Sequence, residues 1–187
     1  MKLNLATKIV GVALFSGAAL LFSGCTTAPA SQEGRADLTD EATAAINKFE
    51  RTDPGLPDFL SRAYGYAIFP SVGEGAFGVG GSYGRGVVYE HGQKVGYCDI
   101  TQASIGFQIG GEVYSELLVF QNKAVLDNFK ANTFGFNGQA SAVALTAGAS
   151  AQAGFDNGVA VFTQSLKGLM YKAAIAGQKF SYTPLQQ

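Results

Sequence analysis

Two glycine-framed stretches have the spacing of known chemical motifs, and each fails on its context. Gly73-Glu74-Gly75-Ala76-Phe77-Gly78 fits the GxGxxG fingerprint that cradles a pyrophosphate. That fingerprint needs a helix opening directly on it, and the next residues, Val79-Gly80-Gly81, cannot start a stable one. Gly80-Gly81-Ser82-Tyr83-Gly84 fits the nucleophile elbow GxSxG, with Ser82 as nucleophile. Its base would have to be His91, the single histidine, and only Glu90 between them could serve as the acid. One histidine and one free cysteine, Cys98, make too small a ligand set for zinc. No carboxylate spacing singles out an acid–base pair. The chain therefore reads as a protein that is not an enzyme, with no catalytic residues, no cofactor and no metal site.

The third chemical feature is Cys25. Lys2 and Lys8 precede an apolar run from Ile9 to Phe22, which ends in Ser23-Gly24-Cys25. This is a secretory leader with a small-residue cleavage site. The run is too short and wrongly flanked for a membrane span. A cysteine directly after the small pair makes the segment resemble a bacterial lipoprotein signal peptide over residues 1–24, with Cys25 acylated as the first mature residue. Phe22 stands where such signals usually carry leucine. Residues 25–37 then read as the acylated cysteine and a flexible tether, and 38–187 as one domain, a length that supports a real core. Once Cys25 is acylated, Cys98 has no partner for an intramolecular disulfide. Its apolar, strand-like surroundings favour a buried, inert thiol.

The elements that must position any site follow from periodicity. Thr39 can cap a helix in which Leu38, Ala42, Ala45, Ile46 and Phe49 recur at helical spacing, and Pro54-Gly55 ends it. Pro57 opens a second short helix. From Tyr64 the period becomes two. Gly86–Glu90 and Gln93–Ile100 read as strands joined at His91-Gly92, and Ala103–Ile109 and Val113–Phe120 as two more. Asn122–Lys130 reads as a short amphipathic helix. Asn137-Gly138 marks a hairpin and Asp156-Asn157-Gly158 a turn. Gln139–Phe155 alternates small and apolar residues and is assigned as a strand, its small side chains suiting close packing or a slot for an acyl chain. Val159–Leu166, Leu169–Ile175 and an edge at Phe180–Thr183 complete the set. The expected fold class is α+β, mainly β with flanking helices: an antiparallel, strongly twisted sheet or half-closed barrel or sandwich. One or two N-terminal helices precede it and one short helix is inserted.

Charge narrows the partners. The formal net charge is −1, without the basic excess of a nucleic-acid binder. After Asn122, however, the cations Lys123, Lys130, Lys167, Lys172 and Lys179 outnumber the anions Asp127 and Asp156. A basic surface can exist on this acidic chain.

Three stretches, taken in order, make the chain similar to a known family. They are YGYAIFPSVGEGAFGVGGSYGRGVVY (64–89), ELLVFQNKAVLDNF (116–129) and GVAVFTQSLKGLMYKAAIAGQKFSY (158–182). The chain resembles the SYLF family of lipid-binding domains over most of its mature length. An extra Leu166 separates Ser165 from Lys167 in the family's Ser-Lys-Gly step. The resemblance implies a non-catalytic module that binds membrane lipid, phosphoinositides in eukaryotic relatives, some of which also touch actin. The expected protein is an outer-membrane lipoprotein facing the periplasm and binding anionic phospholipid or a phosphoinositide-like lipid. Arg85, Lys167, Lys172 and Lys179 are candidate headgroup contacts, and Phe77, Leu169 and Met170 candidate apolar ones. The alternative is a structural envelope protein using the same domain to hold a protein partner by strand addition. A transmembrane barrel is a third option, disfavoured by the acyl anchor and the absence of Trp.

Overall fold

The computed structural model describes residues 29, 31–77, 79–104, 113–136, 142–166, 175 and 177–185. Helix α1 spans Gln32–Thr52 and α2 spans Leu56–Ser61. Leu38, Ala42, Ala45 and Phe49 are buried along one side of α1, at the spacing read from the sequence. Its start differs from expectation. The cap is Ser31, whose side chain accepts the Gly34 N–H, and not Thr39; residues 32–37, expected in the tether, form the first turns. Polar contacts hold those turns. Arg35 Nε donates to the Pro29 carbonyl at 2.9 Å and its guanidinium lies over the Tyr97 ring.

Among the described residues seven strands follow: β1 Gly65–Phe77, β2 Val79–Glu90, β3 Gln93–Ser104, β4 Val113–Phe120, β5 Val143–Ala144, β6 Val159–Ser165 and β7 Gln178–Pro184. Helix α3, Lys123–Lys130, is inserted after β4, and α4, Ala149–Gln152, before β6. The sheet order is β5-β6-β4-β1-β2-β3-β7, antiparallel except for the β5–β6 pair. The β2–β3 hairpin turns at His91-Gly92, where both residues have positive φ (49° and 76°). Asn122 caps α3 by accepting the Val125 N–H, and an ion pair between Lys130 and Glu90 pins α3 to β2. The fold is α+β, as the periodicity implied.

The sheet is buried on both faces. Ile68, Val87, Leu117 and Phe162 pack with Phe49 and Leu56 beneath the N-terminal helices. Ala67, Phe69, Leu118 and Phe120 face the other way, against Leu126, Phe129 and Phe180. The apolar run Ala67–Pro70 therefore fills both cores at once. The sheet also curls strongly. Three strands separate β4 from β7, so a flat sheet would hold them about 19 Å apart. Yet Gln178 Nε2 of β7 donates to Glu116 Oε2 of β4 at 3.0 Å, and the Phe69 and Phe180 rings lie 6.0 Å apart. The sheet is a half-closed, open one, with β5 and β7 as its outer strands.

The strand expected over Gln139–Phe155 is corrected. Within the described part, only Val143–Ala144 pairs, parallel to β6. Gly148 then turns with φ 80°, and Ala149–Gln152 make one helical turn. The cause lies far away in sequence. The buried Asp53 carboxylate, between α1 and α2, accepts N–H bonds from Gly55 (3.0 Å), Gly148 (3.2 Å) and Ser150 (2.6 Å). Burial raises the Asp53 pKa, but the Ser150, Gly55 and Gly148 bonds outweigh it and hold the carboxyl below its ordinary value. Groups needed for a strand ladder are thus committed to a carboxylate. Asn137-Gly138, 105–109 and 169–174 lie outside the described residues; Ile175 is buried and belongs to no strand.

Candidate functional site

Register assembles the site. Tyr83, Thr101 and Lys179 stand opposite one another on β2, β3 and β7, and Arg85, Asp99 and Ser181 form the next row. Opposed residues, and residues two apart, share a sheet face. Arg85, Lys179 and Tyr83 therefore lie on one face. The hydrogen bonds agree: the Tyr83 hydroxyl donates to Asp99 Oδ1 and the Ser181 hydroxyl to Asp99 Oδ2, each at 3.2 Å. Strand spacing sets the Arg85 and Lys179 backbones about 12 Å apart. Helix α1 covers Val87 and Tyr97 on this face, whereas Tyr83, Arg85 and Lys179 are exposed.

Beside this row, α1 and the β1–β2 pair enclose a groove of about 410 Å³. Asp37 and Glu41 line it from the helix, Ser71 from β1, Tyr83 and Arg85 from β2, and Pro29 from the chain entering α1. Among the described residues, none of Asp37, Glu41 and Arg85 is ion-paired.

The strand ends also converge. The β1–β2 hairpin (Phe77 opposite Val79), Ser104 of β3, Val113 of β4, Ser165 of β6 and Gln178 of β7 all lie at one end of the sheet. Phe77 closes β1 at that end. Lys167, Leu169, Met170 and Lys172 lie outside the described residues. Cys25 also lies outside the described residues.

The two paper motifs take other roles. Residues 73–77 lie on β1 and the chain from Val79 is β2, paired antiparallel with it, so a strand and not a helix N-terminus stands where a pyrophosphate would need one. Ser82 is a buried mid-strand residue whose hydroxyl bonds to Gln102 Oε1 at 3.3 Å. His91 sits at the far end of β2, about 30 Å along the strand. Cys98 is buried, and burial pushes its thiol pKa well up.

Sequence reasoning missed Glu116. It is fully buried on the curled inner face, in the same row as Phe69 and Thr163. Burial pushes its pKa up to about 8, against the opposing effect of the Gln178 bond. Its Oε1 and the Oε1 of Gln178 have no hydrogen-bond partner among the described residues. The available signal was a glutamate inside Val113–Phe120, a mostly apolar run.

Residues 101–183 match the family model described as Ysc84, Las17-binding protein actin regulator. Beta cell expansion factor A of Aeromonas veronii is 27% identical over 153 residues, covering 80% of this chain and 58% of that protein. The chain thus spans little more than half the length of this curated relative. The order of the quoted motifs, the family match and the distant homologue agree: residues 101–183 carry a domain of the Ysc84 (SYLF) family.

Proposed function

We propose that the chain is an envelope lipoprotein, acylated at Cys25 and held in the outer membrane facing the periplasm, whose SYLF domain binds anionic lipid by contact and catalyses no reaction. The SYLF domain is associated with lipid binding. The observation that supports the reading is the placement of Arg85 and Lys179 together on an exposed stretch of one sheet face. Each basic side chain at an anionic surface contributes about 1 kcal/mol. The pair therefore supplies about 2 kcal/mol, roughly thirtyfold in affinity. Lys167 and Lys172, with Phe77, Leu169 and Met170 as apolar contacts, each add to the total in this reading. The edges favour the rival, protein-holding reading less. Strand β5 has two residues, and Gly135 already bridges β7 at Lys179.

Co-sedimentation with phosphatidylglycerol vesicles against phosphatidylcholine vesicles tests the reading. Arg85→Glu/Lys179→Glu should weaken binding to the anionic vesicles at least thirtyfold and leave the neutral ones unaffected. Equal binding to both vesicle types, or no response to charge reversal, defeats it. For the anchor, fatty-acid labelling of the mature protein should be abolished in Cys25→Ser. An unlabelled mature wild type ends that part.

A further inference from the structure

We infer that the groove between α1 and the β1–β2 pair is a headgroup site for phosphoethanolamine, taking the phosphate on Arg85 and the primary ammonium on Asp37 and Glu41. The inference rests on the lipid-binding reading and names the lipid for one part of that surface. Three observations carry it. First, the charges are opposed across a groove: two carboxylates on one wall and a guanidinium on the other, all exposed, with no ion pair to any of them among the described residues. Asp37 and Glu41 are one helical turn apart and so share a face of α1. Asp99, next to Arg85 in register, already has both oxygens engaged by Tyr83 and Ser181.

Second, the chemistry selects the ligand. A guanidinium presents a planar fork suited to phosphate oxygens. Carboxylates only accept hydrogen bonds, and a primary ammonium offers three donors. A wholly anionic headgroup would meet Asp37 and Glu41 as like charges. A quaternary ammonium has no N–H for them and calls for an aromatic cage, whereas Tyr83 is the one aromatic lining residue among those described. A short molecule bearing phosphate at one end and a primary ammonium at the other fits both walls.

Third, the groove is held close to the anchor. Pro29 lines it and is buried, with its carbonyl fixed by Arg35. Three residues separate Cys25 from Pro29, and the four steps between the two span at most about 14 Å when fully extended. An acyl chain on Cys25 keeps this groove at the bilayer surface, within reach of lipid headgroups.

The same chemistry has two sources, a lipid headgroup or free phosphoethanolamine, and the experiment separates them. The full chain with Cys25→Ser, which cannot be acylated, is sedimented with vesicles of phosphatidylcholine alone, with added phosphatidylethanolamine, or with added phosphatidylglycerol. The same protein is titrated with O-phosphoethanolamine by calorimetry. Binding should be at least fivefold tighter with phosphatidylethanolamine than with phosphatidylcholine alone. Asp37→Asn/Glu41→Gln should abolish that preference while strengthening binding to phosphatidylglycerol. Opposite responses of one variant to two lipids cannot come from misfolding. No gain from phosphatidylethanolamine, or a variant that strengthens both lipids alike, overturns the headgroup site while leaving anionic binding intact. Loss of phosphatidylglycerol binding in the parent overturns the underlying reading instead. Binding of soluble phosphoethanolamine without any vesicle preference assigns the groove to a free small molecule and overturns the lipid assignment.

Discussion

Replacing Glu116 by glutamine should stabilise the protein, and by an amount that grows with pH. Glu116 is fully buried in the middle of β4, with one hydrogen bond, from Gln178, and one oxygen unpartnered among the described residues. Burial raises its pKa from 4.5 to about 8. In the unfolded chain the carboxyl ionises near its ordinary value, so folding takes up a proton between those two limits. The sign follows from linkage: stability from this group is fully present below about pH 4.5, falls as pH rises, and is lost above about pH 8. Every tenfold difference in proton affinity between the folded and unfolded chain is worth about 1.4 kcal/mol. The ionisable side chain therefore costs about 1 kcal/mol at pH 5, about 3 at pH 7 and about 4 at pH 8. Glutamine keeps the shape and cannot ionise. Its amide can also donate to the unpartnered Gln178 Oε1. Urea unfolding of both proteins at pH 5, 6, 7 and 8 measures the difference. It should widen by about 3 kcal/mol across the series, in favour of Glu116→Gln. Parallel pH profiles, or a variant less stable at every pH, would refute the reasoning and show that Glu116 is charged and compensated in the fold.

Other consequences are local. Asp53→Asn should cost about 2 kcal/mol, because three backbone N–H groups lose a charged acceptor. Since the Asp53 pKa is lowered in the fold, its contribution is present above the ordinary carboxylate pKa and is lost as pH falls through the lowered value. A chemical-denaturation series below pH 5 should show the wild type converging on Asp53→Asn. Gly96→Ala should cost about 1–3 kcal/mol in the same assay. An added Cβ would sit 2.4 Å from the Tyr182 ring and 2.6 Å from the Thr183 carbonyl, on the adjoining strand. Gly92→Ala, where nothing lies within 4 Å but φ is +76°, should cost less.

The division between local and long-range information is visible residue by residue. His91-Gly92 was legible because a positive-φ turn is chosen by the residues that form it, and α3 because its apolar residues recur at helical spacing; that Asn122 caps α3 was seen only in the structure. The same holds for the buried side of α1 at Leu38, Ala42, Ala45 and Phe49, and for the apolar run of β4. The first turns of α1 were not legible: Gln32–Asp37 contain no apolar repeat, and their partners are Pro29 and the Tyr97 ring of β3. The stretch around Gly148 was misread for the same kind of reason. Its backbone is satisfied by Asp53, 95 residues earlier in the chain.

By itself, the sequence determined the expectation of a leader ending at Gly24 just before Cys25, most of the succession of helix and strand from α1 to β7, and the resemblance to the SYLF family. Each of these depends on residues adjacent or nearly adjacent in the chain. Only the tertiary structure decided that Arg85 and Lys179 share one face, that Asp37 and Glu41 confront Arg85 across a groove, and that Glu116 meets Gln178. Those meetings arise from strand order, register and curl, which are set by how whole faces bury against one another rather than by any local spacing.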